Sequence, residues 1–186
     1  MQWESLDEQF TTFFGKPLFK ISSFSFVVLV IGVLIATVVD LRTRRVPNVL
    51  TGLMALVGLG LAATGVSGVS LGTAALGLML GLALMLPGHV IGATGAGDVK
   101  LMAAVGAIVG PSLAFKAFLF TALAGGVLAV VVAMWRRRLS ATVVGTARMI
   151  ATPLDAPREI KAAPRASRFA YAPAIAVGSV LATLVG

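Results

Sequence analysis

The chain has 186 residues, of which 58% are hydrophobic and 12% charged, and its mean hydropathy is +1.00. That composition excludes a water-soluble globular domain and points to a polytopic membrane protein. Fifteen Lys plus Arg against seven acids give a net charge of +8, which in so apolar a chain reads as loops held on the cytoplasmic side and not as a nucleic-acid-binding surface. With no cysteine and a single histidine, His89, the chain has no disulfide staple and too few ligands for a Cys- or His-based metal centre, so neither a metal nor a cofactor is expected.

Residues 1–20 space Trp3, Leu6, Phe10 and Phe13 at three or four, which predicts a short amphipathic helix on the outer membrane surface. The acids Glu4, Asp7 and Glu8 at its start are unlike the basic opening of a cleaved signal peptide. Apolar stretches then follow at about Ile21–Val39, Val49–Thr64, Leu71–Ile91, Val99–Val109, Leu113–Trp135 and Phe169–Val185. The expected fold is therefore all-α: six transmembrane helices over 21–186 behind the amphipathic segment 1–20.

A span needs roughly 17 to 25 residues, and the fourth stretch is too short alone. If Gly110-Pro111-Ser112 is the turn at its far end, counting back about 18 residues at 1.5 Å each puts the membrane entry near Ala93. Asp98 and the glycines before it then lie within the bilayer thickness. Irregular backbone at that depth must be packed in protein or line a wet cavity, because lipid satisfies no N–H or C=O group.

The loop over 136–168 mixes arginines with Leu139, Val143, Val144, Ala147 and Ile150 before Pro153, Pro157 and Pro164. It reads as an interfacial helix and a basic linker drawn to anionic headgroups. Arg42, Arg44, Arg45, Lys100 and the eight cations of this loop all fall on one side of a six-span plan, so both termini are expected on the side away from the cytoplasm.

Of the seven acids, only Asp40 and Asp98 abut apolar spans. An ionisable group inside a membrane costs at least a few kcal/mol and marks a functional or a paired group. The plain reading of Asp98, just before Val99, is a cap on helix four. Asp40 closes the C-terminal end of span one, where the helix field disfavours a carboxylate, and its plain reading is an interfacial ion pair with Arg42, Arg44 or Arg45.

Together the two acids point further. Both lie at the cytoplasmic ends of their segments, and two carboxylates in one poorly solvated site hold a proton between them. One then takes a proton from water while the other donates to a carbonyl oxygen, the chemistry of an aspartic protease. Helix-start placement inclines Asp98 toward base and leaves Asp40 as acid, within a pair that titrates as a unit. Gly95 and Gly97 let the backbone bend sharply beside the pair and leave room for an extended substrate.

The stretches "DLRTRRVPN" (40–48) and "GAGDVK" (95–100), in that order and at span boundaries, resemble the type IV prepilin peptidases, which are intramembrane aspartyl proteases with a Gly-x-Gly-Asp motif. "YAPAIAVG" (171–178) is similar to that family's last helix, and the resemblance covers roughly residues 24–186. It implies that Asp40 and Asp98 are the catalytic pair. It also implies cleavage of prepilins and pseudopilins at the cytoplasmic face of a bacterial inner membrane, between a short basic leader and the apolar helix of the pilus core. Larger members also N-methylate the new amino terminus and carry an extra cytoplasmic region with paired cysteines. This chain has neither, and so resembles the short branch found with tight-adherence (Flp) pili, without methyltransferase activity.

Arg42 and Lys100 either snorkel to headgroup level or help hold substrate, and Pro47 and Asn48 fix the turn into span two. His89 reads as an interfacial histidine outside the site. A basic leader approaching a basic surface needs an attraction, which Asp155, Glu159 or the pair itself would supply. The partners expected are the prepilin helix and the lipid bilayer. Two other functions fit intramembrane acids: a proton-coupled transporter or channel, and a non-catalytic pilus-assembly scaffold.

Overall fold

Ser22 opens the first helix of the computed structural model, which describes residues 22–92, 94–135 and 171–185. The expected amphipathic segment 1–20 and the basic loop 136–168, with Asp155 and Glu159, lie outside the described residues. Those described are all-helical: α1 (Ser23–Thr43), α2 (Asn48–Ala63), α3 (Leu71–Val90), α4 (Ala96–Trp135) and α5 (Ala172–Val185).

Local chemistry sets these boundaries. Ser22 caps α1 by accepting the Ser25 N–H on its hydroxyl, and Ser70 caps α3 through the Thr73 N–H, both at 3.3 Å. Helix α1 ends where Arg44 turns left-handed (φ 53°, ψ 34°) and returns its N–H to the Asp40 carbonyl at 2.7 Å, a cap usually made by glycine. Pro47, extended at φ −64°, stands at the N-cap of α2, so the helix begins at Asn48 as the Pro-Asn turn predicts.

Helix α4 is not one rod. Gly110 takes φ 78° and ψ 174°, a conformation that L side chains rarely adopt, and Pro111 then starts a second limb with its φ already set for a helix. The expected Gly-Pro break is therefore present, with limbs over 96–109 and 111–135. Helices α1, α3 and α4 are long and apolar enough to cross a membrane, while α2 and α5 are shorter apolar helices.

Polarity runs inside out. Ile31, Leu34, Leu56, Leu76, Leu123 and Val127 are exposed, while Ser25, Asp40, Thr51, Asp98, Thr121, Ser179 and Thr183 are buried. An apolar surface of this extent would aggregate in water and suits lipid. Small residues bring the helices together: a Cβ on Gly77 or on Gly106 would run into the other's backbone carbonyl, so α3 and the first limb of α4 touch backbone to backbone. Every residue from Leu101 to Gly110 is buried. That accounts for a segment too short to span alone: it is wrapped by the other helices, and its ends meet protein instead of lipid.

The bundle has two ends. At one, Ser22 donates to the Ser67 carbonyl at 3.3 Å, and Gly110 faces Val69 and Thr73. The other gathers the end of α1, the turn into α2, the end of α3 and the starts of α4 and α5. Both Asp40 and Asp98 lie there.

Candidate active site

Asp40 sits in the last turn of α1 and Asp98 in the first turn of α4, and they are only 5% and 8% exposed. Their carboxylates lie within electrostatic reach of each other, although 58 positions separate them in the sequence. Two buried carboxylates in mutual range fit a pair that holds a shared proton.

Each is steadied by a main-chain donor at a helix start. Asp98 Oδ2 accepts the Gly95 N–H at 3.1 Å, and the Asp98 N–H returns to the Gly95 carbonyl at 3.1 Å. The expected cap just before Val99 takes a different form: the helix begins at Ala96, and Asp98, within its first turn, reaches back to the N–H of the residue that precedes the helix. Asp40 Oδ2 accepts the N–H of Ala172, the first residue of α5, at 3.2 Å across 132 positions. Asp40 does close α1, at the end where the helix field disfavours a carboxylate. Its carboxylate leaves the unfavourable end of its own helix for the favourable end of another, taking one of the orphan donors that open α5. Each acid thus accepts one N–H at a helix start.

The two motifs are locked to each other. A Cβ on Gly97 would stand 2.9 Å from Val46 Cβ and 3.0 Å from its carbonyl oxygen, so only glycine lets the α4 start lie on the turn that follows Asp40. Lys100 Nζ donates to Asn48 Oδ1 at 2.9 Å, joining the first turns of α4 and α2. Lys100 thus does more than reach toward headgroups. Gly95 is needed differently: a Cβ there would approach Asp98 Oδ2 to 3.0 Å. Arg42 is exposed on the last turn of α1.

Sequence reasoning left out three contributors. His89 Nδ1 lies 3.1 Å from the Thr94 carbonyl, and the Thr94 N–H meets the Gly88 carbonyl at 3.1 Å, so the end of α3 holds the loop leading to Asp98. The Ala172 N–H is backbone and leaves no trace in composition. Tyr171, just before it, lies within electrostatic reach of Asp98. The one available signal was Pro173 near the start of an apolar run, a helix-start mark that puts free N–H groups at the beginning of the last helix.

Two buried carboxylates within electrostatic reach of each other are the groups that general acid–base hydrolysis of an amide requires. The sequence model of the type IV leader peptidase family matches residues 27–130, a stretch that contains both aspartates and ends before α5. No curated protein and no solved structure matches the chain.

Proposed function

The chain belongs to the type IV leader peptidase family, and on that premise we propose that it is an intramembrane aspartyl endopeptidase whose catalytic pair is Asp40 and Asp98. The substrates are prepilins and pseudopilins of a tight-adherence (Flp) pilus system, cut between a short basic leader and the apolar helix that follows. The observation that carries this reading is the burial of two carboxylates, from distant segments, at one end of an otherwise oily bundle, each on a helix-start N–H. A scaffold gains nothing from the desolvation cost of such a pair.

The reaction is hydrolysis. One carboxylate of the pair removes a proton from the bound water as its oxygen bonds to the scissile carbonyl carbon, and the protonated partner gives its proton to the carbonyl oxygen. Collapse of the tetrahedral intermediate breaks the C–N bond: the departing amine takes the proton that came from water, and a hydroxyl of the intermediate returns its proton to the other carboxylate as the carbonyl re-forms. Each half-reaction returns one proton to the pair, so the pair acts as a unit.

The exposed Arg42, Arg44, Arg45 and Lys100 belong to the same end of the bundle as the two acids, and the reading takes the five helices, with the two limbs of α4 counted separately, as six crossings. The positive-inside rule makes that side cytoplasmic and both termini periplasmic in a bacterial inner membrane. Peptide cleavage without N-methylation is the activity proposed, because the cysteine-bearing region of larger members has no counterpart in a chain without cysteine.

Co-expression with a leader-bearing prepilin tests the reading. The expected product has lost the mass of the leader, and Asp40→Asn or Asp98→Asn abolishes that loss. Acid-dependent ion flux without cleavage would instead identify a transporter.

A further inference from the structure

Beside the two acids stands a donor that the two-carboxylate mechanism does not use. Tyr171 occupies the N-cap of α5, the position before the residue whose N–H holds Asp40. The peptide group that follows it is held at both ends, by the Ile175 N–H on the Tyr171 carbonyl at 3.1 Å and by the Asp40 carboxylate on the Ala172 N–H. Its ring packs against the second limb of α4, where a Cβ on Gly125 would meet Tyr171 Cε2 at 2.9 Å and Oη at 3.1 Å. Gly125 therefore makes the seat that lets the ring lie there. The residue is partly buried, and Asp98 is in electrostatic range of its hydroxyl.

Both limbs of α4 thus meet this side chain, the first through Asp98 and the second through Gly125, while Asp40 of α1 holds the backbone of the next residue. A half-buried phenol generally finds a hydrogen-bond partner, and no hydrogen bond joins the Tyr171 hydroxyl to a described side chain. Amide hydrolysis creates such a partner, because negative charge grows on the scissile oxygen as water adds. A preorganised donor aimed at that charge is among the strongest aids to acyl chemistry.

We propose that Tyr171 is a third catalytic group, its hydroxyl donating a hydrogen bond to the scissile carbonyl oxygen as the tetrahedral intermediate forms. No proton is transferred through the phenol: it shares its hydrogen while the protonated carboxyl supplies the proton. This role rests on the peptidase reading. It adds to that reading a residue outside the stretch that matches the family model.

The test uses the full chain in liposomes with a leader-bearing prepilin. Tyr171→Phe keeps the ring on Gly125 and removes only the hydroxyl. The expected result is a fall in kcat of about 100- to 1,000-fold, with KM and thermal unfolding little changed. A wild-type kcat, or a change confined to KM, overturns the role.

Tyr171 is also the only tyrosine in the chain, so biosynthetic 3,5-difluorotyrosine alters this hydroxyl and no other. Fluorination makes the phenol ionise at lower pH, and an ionised phenol cannot donate. The alkaline limb of the rate profile should therefore move to lower pH, and a profile identical to that of the unlabelled enzyme overturns the proposal. Asp40→Asn and Asp98→Asn run alongside separate the two claims. If they abolish cleavage while Tyr171→Phe does not slow it, the peptidase stands and the third group falls.

Discussion

Lys100 Nζ and Asn48 Oδ1 meet at 2.9 Å and tie the first turn of α4 to the first turn of α2. The bond spans 52 positions and joins the two sequence motifs that carry the acids. If it sets the register between those helices, Asn48→Ala and Lys100→Met each lower the cleavage rate without affecting prepilin expression. In a double-mutant cycle on thermal unfolding the pair should couple by about 0.5–1 kcal/mol, the net worth of an intramolecular hydrogen bond. Additive effects would mean that the contact has no energetic role.

Gly97 gives a sharper steric prediction. Its missing Cβ would fall 2.9–3.0 Å from Val46, so Gly97→Val must push the start of α4 off the turn after Asp40. Overpacking of this kind costs about 1–3 kcal/mol of stability. A displacement of about 1 Å at a reacting group costs on the order of 100-fold in rate, so activity should fall further than stability. The smaller Gly97→Ala should lie between the two, and a fully active, fully stable Gly97→Val would show that α4 does not rest on Val46.

Because the chain has no cysteine, the proximity of the two acids can be read directly in membranes. Asp40→Cys/Asp98→Cys should be bridged by a short bifunctional thiol reagent, giving a linked peptide by mass spectrometry. Leu34→Cys/Asp98→Cys, whose first position is exposed on the apolar surface, should not. Equal linking of both pairs, or of neither, would contradict a shared site.

Much of this site is legible in the sequence because its signals are local. Apolar runs set the helices to within a few residues, Gly110-Pro111 marks a break that only glycine and proline make cheaply, and the Pro47-Asn48 pair marks the entry to α2. Asp98 reads as a helix-start acid because its donor, Gly95, is three residues away. The support for Asp40 is hidden for the opposite reason. Its partner is a backbone N–H 132 positions later, and main-chain donors carry no residue identity. The tether from His89 to Thr94 is similarly invisible, since its acceptor is a carbonyl. Long-range contacts through backbone atoms depend on how the helices pack, and the packing follows from close approaches such as Gly77 on Gly106 that look like ordinary composition in a chain with 21 glycines.

The most direct measurement is the cleavage of a purified leader-bearing prepilin by the purified chain in liposomes, followed by intact mass, for the wild type, Asp40→Asn and Asp98→Asn. Each substitution nearly preserves size and removes one carboxylate, and thermal unfolding reports whether the bundle survives. The account predicts leader release by the wild type alone, with both variants folded and inactive. Leader release that persists in both variants would contradict it.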